Sequence, residues 1–317
     1  MRPLSFVFTL FLILSFSSCD DGDIIDFQLD FDNTFQVCEG ESDLVFYKTK
    51  ADPSESFSLQ VSNTRIEDLL AVDENGIYEE TFSITPTTPL IYRTYRNTEL
   101  PNDLFCSVVQ NSEVEITNND ESTSGSALLR TVLIEDDNDG IPAELEDLNG
   151  NGDLEDDDTD GDGLPNYIDA DDDGDNVLTA DEITLNDNGV FAIDDTLNTD
   201  ADHPTNSDTI PDYLDNDDDG DGVLTINEEK DSPDSNPRND TTTDAITLEV
   251  TPDYLNADET TETLATAYRK HTIIQTYTVT LTLFDFDLEL ISIDEFFFGN
   301  LDNSVLSTSR DGTPEFP

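Results

Sequence analysis

The chain has 317 residues, more than one average domain, and sets 75 Asp and Glu against 12 Lys and Arg, a formal net charge of -63. Self-repulsion on that scale opposes compaction unless cations screen or bind it, and it excludes nucleic acid as a partner. Hydrophobic content of 35% is low for a globular chain, yet 18 Phe and 9 Tyr are too many for a wholly disordered one, so acidic and apolar residues must be segregated along the sequence.

Met1-Arg2 and the apolar run from Leu4 to Phe16 read as a signal peptide over residues 1–18, too short to span a bilayer. Its end, Ser17-Ser18-Cys19, resembles the lipobox of bacterial lipoproteins, with Phe16 where that motif usually has Leu. The resemblance implies lipidation at Cys19 and a mature chain that lies on a membrane without crossing it. An ordinary secretory signal with an incidental Cys is the alternative. Residues 19–26 then form an acidic tether, and Asp20-Asp21-Gly22-Asp23 looks like the export tag of Bacteroidetes lipoproteins, which implies the outer face of the outer membrane. In an exported, oxidising setting the remaining pair, Cys38 and Cys106, is expected as a disulfide, the alternative being two buried thiols.

Residues 27–134 show short alternating apolar runs: Phe27, Leu29, Phe31; Phe57, Leu59, Val61; Phe82, Ile84; Val114, Ile116. Period two means half-buried strands, and turn signals at Asp73 to Gly76, Thr85 to Pro89 and Pro101 to Asp103 separate them, so an antiparallel β-sandwich is expected. The fold class read from the whole chain is mainly β.

No Lys or Arg occurs between Arg130 and Lys230, and Asp, Asn and Gly dominate residues 135–230. The run from Asp217 to Glu228 fits a 12-position calcium loop throughout. Calcium takes six to eight hard oxygens, which Asp217, Asp219 and Asp221, the Val223 carbonyl, Thr225 and a bidentate Glu228 would supply around the bend at Gly222. The same order stands earlier in Asp171, Asp173, Asp175, Val177, Thr179 and Glu182, with Asn176 in place of the glycine because Asn tolerates positive φ. Upstream of each lies a shared piece, Asp162-Gly163-Leu164-Pro165-Asn166-Tyr167-Ile168-Asp169 against Asp208-Thr209-Ile210-Pro211-Asp212-Tyr213-Leu214-Asp215, which makes this an internal repeat. The first copy opens as Asp158, Asp160, Asp162 and closes on Asp169; the second reads as having lost that opening, leaving Asp208 and Asp215. Two more loops precede them, Glu135, Asp137 and Asp139 closed by Glu146, then Asp147, Asn149 and Asn151 closed by Asp158.

Pro142, Pro165 and Pro211 break any flanking helix, so these are not EF-hands. The loops resemble thrombospondin type 3 repeats, a likeness that implies a calcium-stapled, almost coreless rod. Too few apolar residues lie here to offset chain entropy, so metal must do the folding, the alternative being an acidic disordered linker. Magnesium fits less well than several calcium ions, because its small octahedral shell dehydrates reluctantly, and zinc lacks its Cys and His ligands.

Residues 231–245, rich in Ser, Pro, Asn and Thr, read as a linker, and 246–317 as a β-rich segment that either completes the N-terminal sandwich or packs by itself. Asp258 to Lys270 has helical spacing at Leu264, Ala267 and Tyr268. Thr276 to Leu283 alternates cleanly, and the phase flips at Leu283-Phe284, which predicts a bulge or bend.

No G-x-S-x-G, H-E-x-x-H or phosphate-cradling glycine loop occurs, and neither His203 nor His271 stands in a catalytic context, so no enzyme is expected. The whole looks like a flavobacterial type of surface lipoprotein. Its first expected role is a calcium-binding structural or interaction module for adhesion or envelope organisation, in which a stiffened spacer holds the β-module off the membrane. The alternative is an accessory subunit of an outer-membrane assembly, transport or uptake complex, docking on a β-barrel partner through the C-terminal strands or Phe296-Phe297-Phe298. A glycan-binding or glycan-processing lipoprotein is a third reading, with Tyr92 and Tyr95 more readily placed in the sandwich core than on a sugar platform.

Overall fold

The computed structural model describes residues 29–40, 43–107, 112–192, 196–289 and 291–317. The signal peptide, Cys19, the acidic tether and Phe27 lie outside the described residues. Among the described residues the period-two segments form β1 (Thr34–Glu39), β2 (Asp43–Ala51), β3 (Ser54–Ser62), β4 (Ile77–Ser83), β5 (Leu90–Tyr95), β6 (Ile116–Ser122) and β7 (Ser126–Asp136). A short ribbon, β8 (Thr241–Thr243) with β9 (Val250–Pro252), precedes β10 (Thr272–Leu288), β11 (Ile291–Leu301) and β12 (Ser307–Asp311).

The strands join in the order β4-β7-β10-β11-β1-β2-β3-β5-β6, with β12 also on β10. The chain is therefore mainly β, as the alternation predicts. The C-terminal strands complete the N-terminal sheet: β10 pairs antiparallel with β7 from Ile274 opposite Asp136 to Phe284 opposite Ser126. One pairing departs from the antiparallel expectation, since β11 runs parallel to β1. Gly299 makes that approach feasible: at φ 134 its backbone lies where a Cβ would stand 2.7 Å from the Asn33 carbonyl oxygen.

The sheet folds over on itself. Phe57 of β3 meets Phe286 of β10 at 5.9 Å and Phe298 of β11 at 5.5 Å between ring centroids, although neither strand is its sheet neighbour. Leu44, Phe46, Leu59, Leu90, Leu129, Val279, Leu281 and Leu283 fill the same core. Fully burying each such side chain contributes about 1.5–3 kcal/mol. Tyr92 and Tyr95 are buried, as expected of core residues, while Ile116 turns outward. Phe298 is fully buried and Phe296 packs on the core, while Phe297 between them is exposed, so of the Phe296-Phe297-Phe298 triplet only Phe297 faces outward.

The phase flip in β10 is present, close to the predicted place. Leu283 and Phe286 both point inward, and Asp285 between them takes φ 53. Gly125 presses against this bend, where a Cβ would lie 2.6 Å from the Phe284 carbonyl oxygen. Cys38 and Cys106 form the expected disulfide, with Cα atoms 5.2 Å apart.

Because β7 and β10 are sheet neighbours, residues 137–271 form one excursion that leaves the sheet at Asp136 and returns beside it. Of the two expectations for the C-terminal segment, completion of the N-terminal sandwich is therefore the one that holds. The predicted helix at 258–270 does not form. Its backbone instead straps across the acidic loops: Thr263 N donates to Asn227 O at 2.7 Å, Ala265 N to Asn227 Oδ1 at 2.9 Å, and Arg269 N to Asn176 Oδ1 at 2.7 Å. Those side-chain and backbone acceptors outcompete a helix built from a Thr-rich stretch. Residues 231–245, read as a linker, hold a 3-10 turn at Pro237–Asn239 and the β8 strand, with Asp240 fully buried.

Candidate metal centre

Asp at every second position folds these loops locally. In the third acid of these loops one carboxylate oxygen accepts the backbone N–H two residues on: Asp175 Oδ1 from Val177 N at 2.6 Å, Asp221 Oδ1 from Val223 N at 2.6 Å, Asp139 Oδ1 from Ile141 N at 2.7 Å, Asp162 Oδ1 from Leu164 N at 2.7 Å. The first Asp takes the amides that close the turn, as Asp171 does from Asp175 N and Asn176 N, and Asp217 from Gly222 N. Asn176 holds φ 73 where Gly222 holds 95.

The second oxygen is left over. Buried Oδ2 atoms of Asp137, Asp139, Asp175, Asp219 and Asp221, and both carboxylate oxygens of Asp173, Glu182 and Glu228, have no hydrogen-bond partner. They converge: Asp137, Asp139 and Glu146 bring one oxygen each within 4.8 Å of one another, as do Asp158, Asp160 and Asp162, and Asp171, Asp173 and Asp175. Burial, and then the neighbouring carboxylates, push Glu146 and Glu228 up to about 9, and hold Asp173, Asp175 and Glu182 well above the carboxylate range. Buried like charges without a counter-charge are strongly unfavourable, so these groups call for protons or a cation. An all-oxygen set of crowded carboxylates suits a hard ion of flexible geometry, so the residues fit calcium.

The structure redistributes several expected ligands. Glu135 belongs to the sheet: Arg310 grips both its oxygens at 2.8 and 2.9 Å and Gln275 donates to it at 2.8 Å, which holds its carboxyl below the usual range. Asn149 and Asn151 lie exposed, and their side-chain amides donate to Asp156 and Asp157. Asp147 accepts two loop amides and is half-buried. Asp169 is buried beside His271, whose Nδ1 lies 2.8 Å from Asp169 Oδ1 and whose Nε2 lies 3.6 Å from Asp171 Oδ2. Burial lowers the imidazole's pKa, but these two acids outweigh it and lift His271 to about 10. That imidazolium fixes the start of β10 to the acidic loops.

The second copy has not lost its opening. Asp200, buried, groups with Asp208 and Asp215, and Asp208 N donates to Asp200 Oδ2 at 3.0 Å. Asn198-Thr199-Asp200 thus matches Asp158-Thr159-Asp160, with residues 201–207 standing before Asp208 where the first copy has only Gly161, and that insertion hid the match. A third, degenerate copy went unread at Pro252-Asp253-Tyr254-Leu255. Its Asp253 N donates to Asp240 O at 3.0 Å, as Asn166 N does to Asp157 O at 2.8 Å and Asp212 N to Leu197 O at 3.0 Å. The Pro-Asp-Tyr-Leu string, identical to residues 211–214, was the available signal.

The family model described as BamM C-terminal matches residues 136–193, the first half of the acidic excursion. That family is associated with the outer membrane. No curated protein and no solved structure matches the chain. Among the described residues no helix is long and apolar enough to cross a membrane.

Proposed function

We propose that this chain is a lipid-anchored accessory subunit of an outer-membrane protein-assembly complex, whose calcium-stapled acidic excursion is held rigidly at one end of a β-sandwich. The observation that carries the reading is the match of the excursion to the BamM C-terminal family. It favours a complex subunit over an independent adhesion module. The calcium loops, with their likeness to thrombospondin type 3 repeats, and the lipobox at Cys19 complete the proposal. The tip of the β8–β9 ribbon offers the docking surface, with Ile246 91%, Leu248 73% and Val250 61% exposed. Apolar side chains so exposed and adjacent mark an interaction site.

The test is affinity capture of the full chain from native envelopes in calcium, with a parallel EGTA wash. An integral β-barrel protein retained in calcium and lost from the I246D/L248D variant, with the variant's melting temperature unchanged, is the expected result. A chain recovered alone under every condition sinks the subunit reading and favours an independent surface module.

A further inference from the structure

Each complete copy carries three successive acids, Asp171-Asp172-Asp173 and Asp217-Asp218-Asp219. The outer two belong to their own loop; the middle one does not. Asp218, 1% exposed and with neither oxygen hydrogen-bonded, brings an oxygen within 4.8 Å of those of Asp175 and Glu182, in the corresponding loop of the first copy. Asp172, also 1% exposed with both oxygens unpartnered, holds the equivalent position in the first copy, and after burial the charges that hold its carboxyl well above the usual range are led by Glu146, Asp139 and Asp137 of the loop at 137–146. In the third copy the same place, seven residues after the proline, is Glu259. There a cation is present: Lys230 Nζ lies 2.8 Å from Glu259 Oε2, 2.9 Å from Asp253 Oδ2 and 2.6 Å from Thr242 Oγ1.

We propose that Asp218 and Asp172 are bridging ligands, Asp218 completing the cation site of the loop at 171–182 and Asp172 that of the loop at 137–146, so that the array is a chain of composite sites closed at its end by the Lys230 ammonium. The inference rests on the cation-binding reading of the array and specifies how its sites are shared. A middle acid serving only its own loop would point toward that loop; one merely solvated would be exposed. Both are 1% exposed, and Asp218 converges with Asp175 and Glu182 of the other copy. One cation at a bridge ties residues 175–182 to Asp218, and another ties 137–146 to Asp172, so each ion closes a long loop that few apolar contacts would otherwise hold.

Calcium binding to the full chain is measured by calorimetric titration, and stability by thermal melts in calcium and in EGTA, for wild type, D218N, D172N and the exposed control D187N. The expected result for D218N and D172N is a loss of at least roughly tenfold in affinity at one class of site. The melt in EGTA should be unchanged or raised, because a neutral isostere removes a buried repulsion, while the calcium-dependent gain shrinks. A merely structural role would lower the melting temperature in both conditions. Titrations of D218N and D172N that match D187N and wild type overturn the bridges, as does an equal loss of stability with and without calcium. A wild-type chain that takes up no calcium instead overturns the cation reading itself.

Discussion

Lys48 carries its ammonium into the sandwich wall, where it donates to the carbonyl oxygens of Asp32 and Phe298 and lies 5.1 Å from the Phe298 ring centre. Burial lowers its pKa to about 8, with nearby Asp32 opposing the shift. A lysine lowered in the fold binds fewer protons there than in the unfolded chain between pH 8 and its ordinary value. The contribution of Lys48 to stability should therefore rise as pH climbs from about 8 toward 10. Denaturant melts in calcium at pH 8.0, 8.8 and 9.5 check this against the opposing loss from His271, whose raised pKa costs stability over the same range: wild type should gain stability relative to K48M across the series. In sequence Lys48 stands two residues after Phe46 and four after Leu44, in phase with the buried face of β2, but only the fold-over that brings Phe298 near it shows what meets the head group.

At the scale of elements, the disulfide fixes β1 to the turn at Pro101–Ser107 across a sequence separation of 68. In the chain-entropy account a closed loop of that length stabilises by about 4 kcal/mol. The C38S/C106S chain should lose stability on that order in equilibrium unfolding, with no change in calcium uptake, because neither cysteine touches the acidic excursion. The pairing was legible from cysteine number and compartment alone. The bend in β10 was equally legible, because an apolar phase that flips within a strand leaves no other way to keep Leu283 and Phe286 on one face. The helix expected at 258–270 was not, because Asn227 and Asn176 capture its backbone from distant loops.

For the whole molecule, the decisive feature is that the acidic excursion begins and ends on adjacent, directly paired strands. The sheet can therefore hold while the excursion loosens. On this basis, EGTA should speed amide hydrogen exchange across residues 137–270 while the β7 and β10 amides that pair from Ser126 to Asp136 stay protected, as read by mass spectrometry. A uniform loss of protection would mean that the cations also stabilise the sheet, and the excursion would not be an independent folding unit.

The sequence by itself determined the local chemistry. Alternating apolar residues specify strands because side chains in a strand face opposite sides, and Asp at every second position with Gly or Asn at the bend specifies carboxylate loops because the Asp carboxylates must serve both backbone amides and a shared centre. Tertiary structure decided what is shared between distant segments. It pairs β10 with β7, hands Glu135 to Arg310, recruits Asp200 across an insertion and places Asp218 beside Glu182. Those choices rest on which surfaces meet in space, and a pattern read along one strand or one loop carries no information about the partner that will lie across from it.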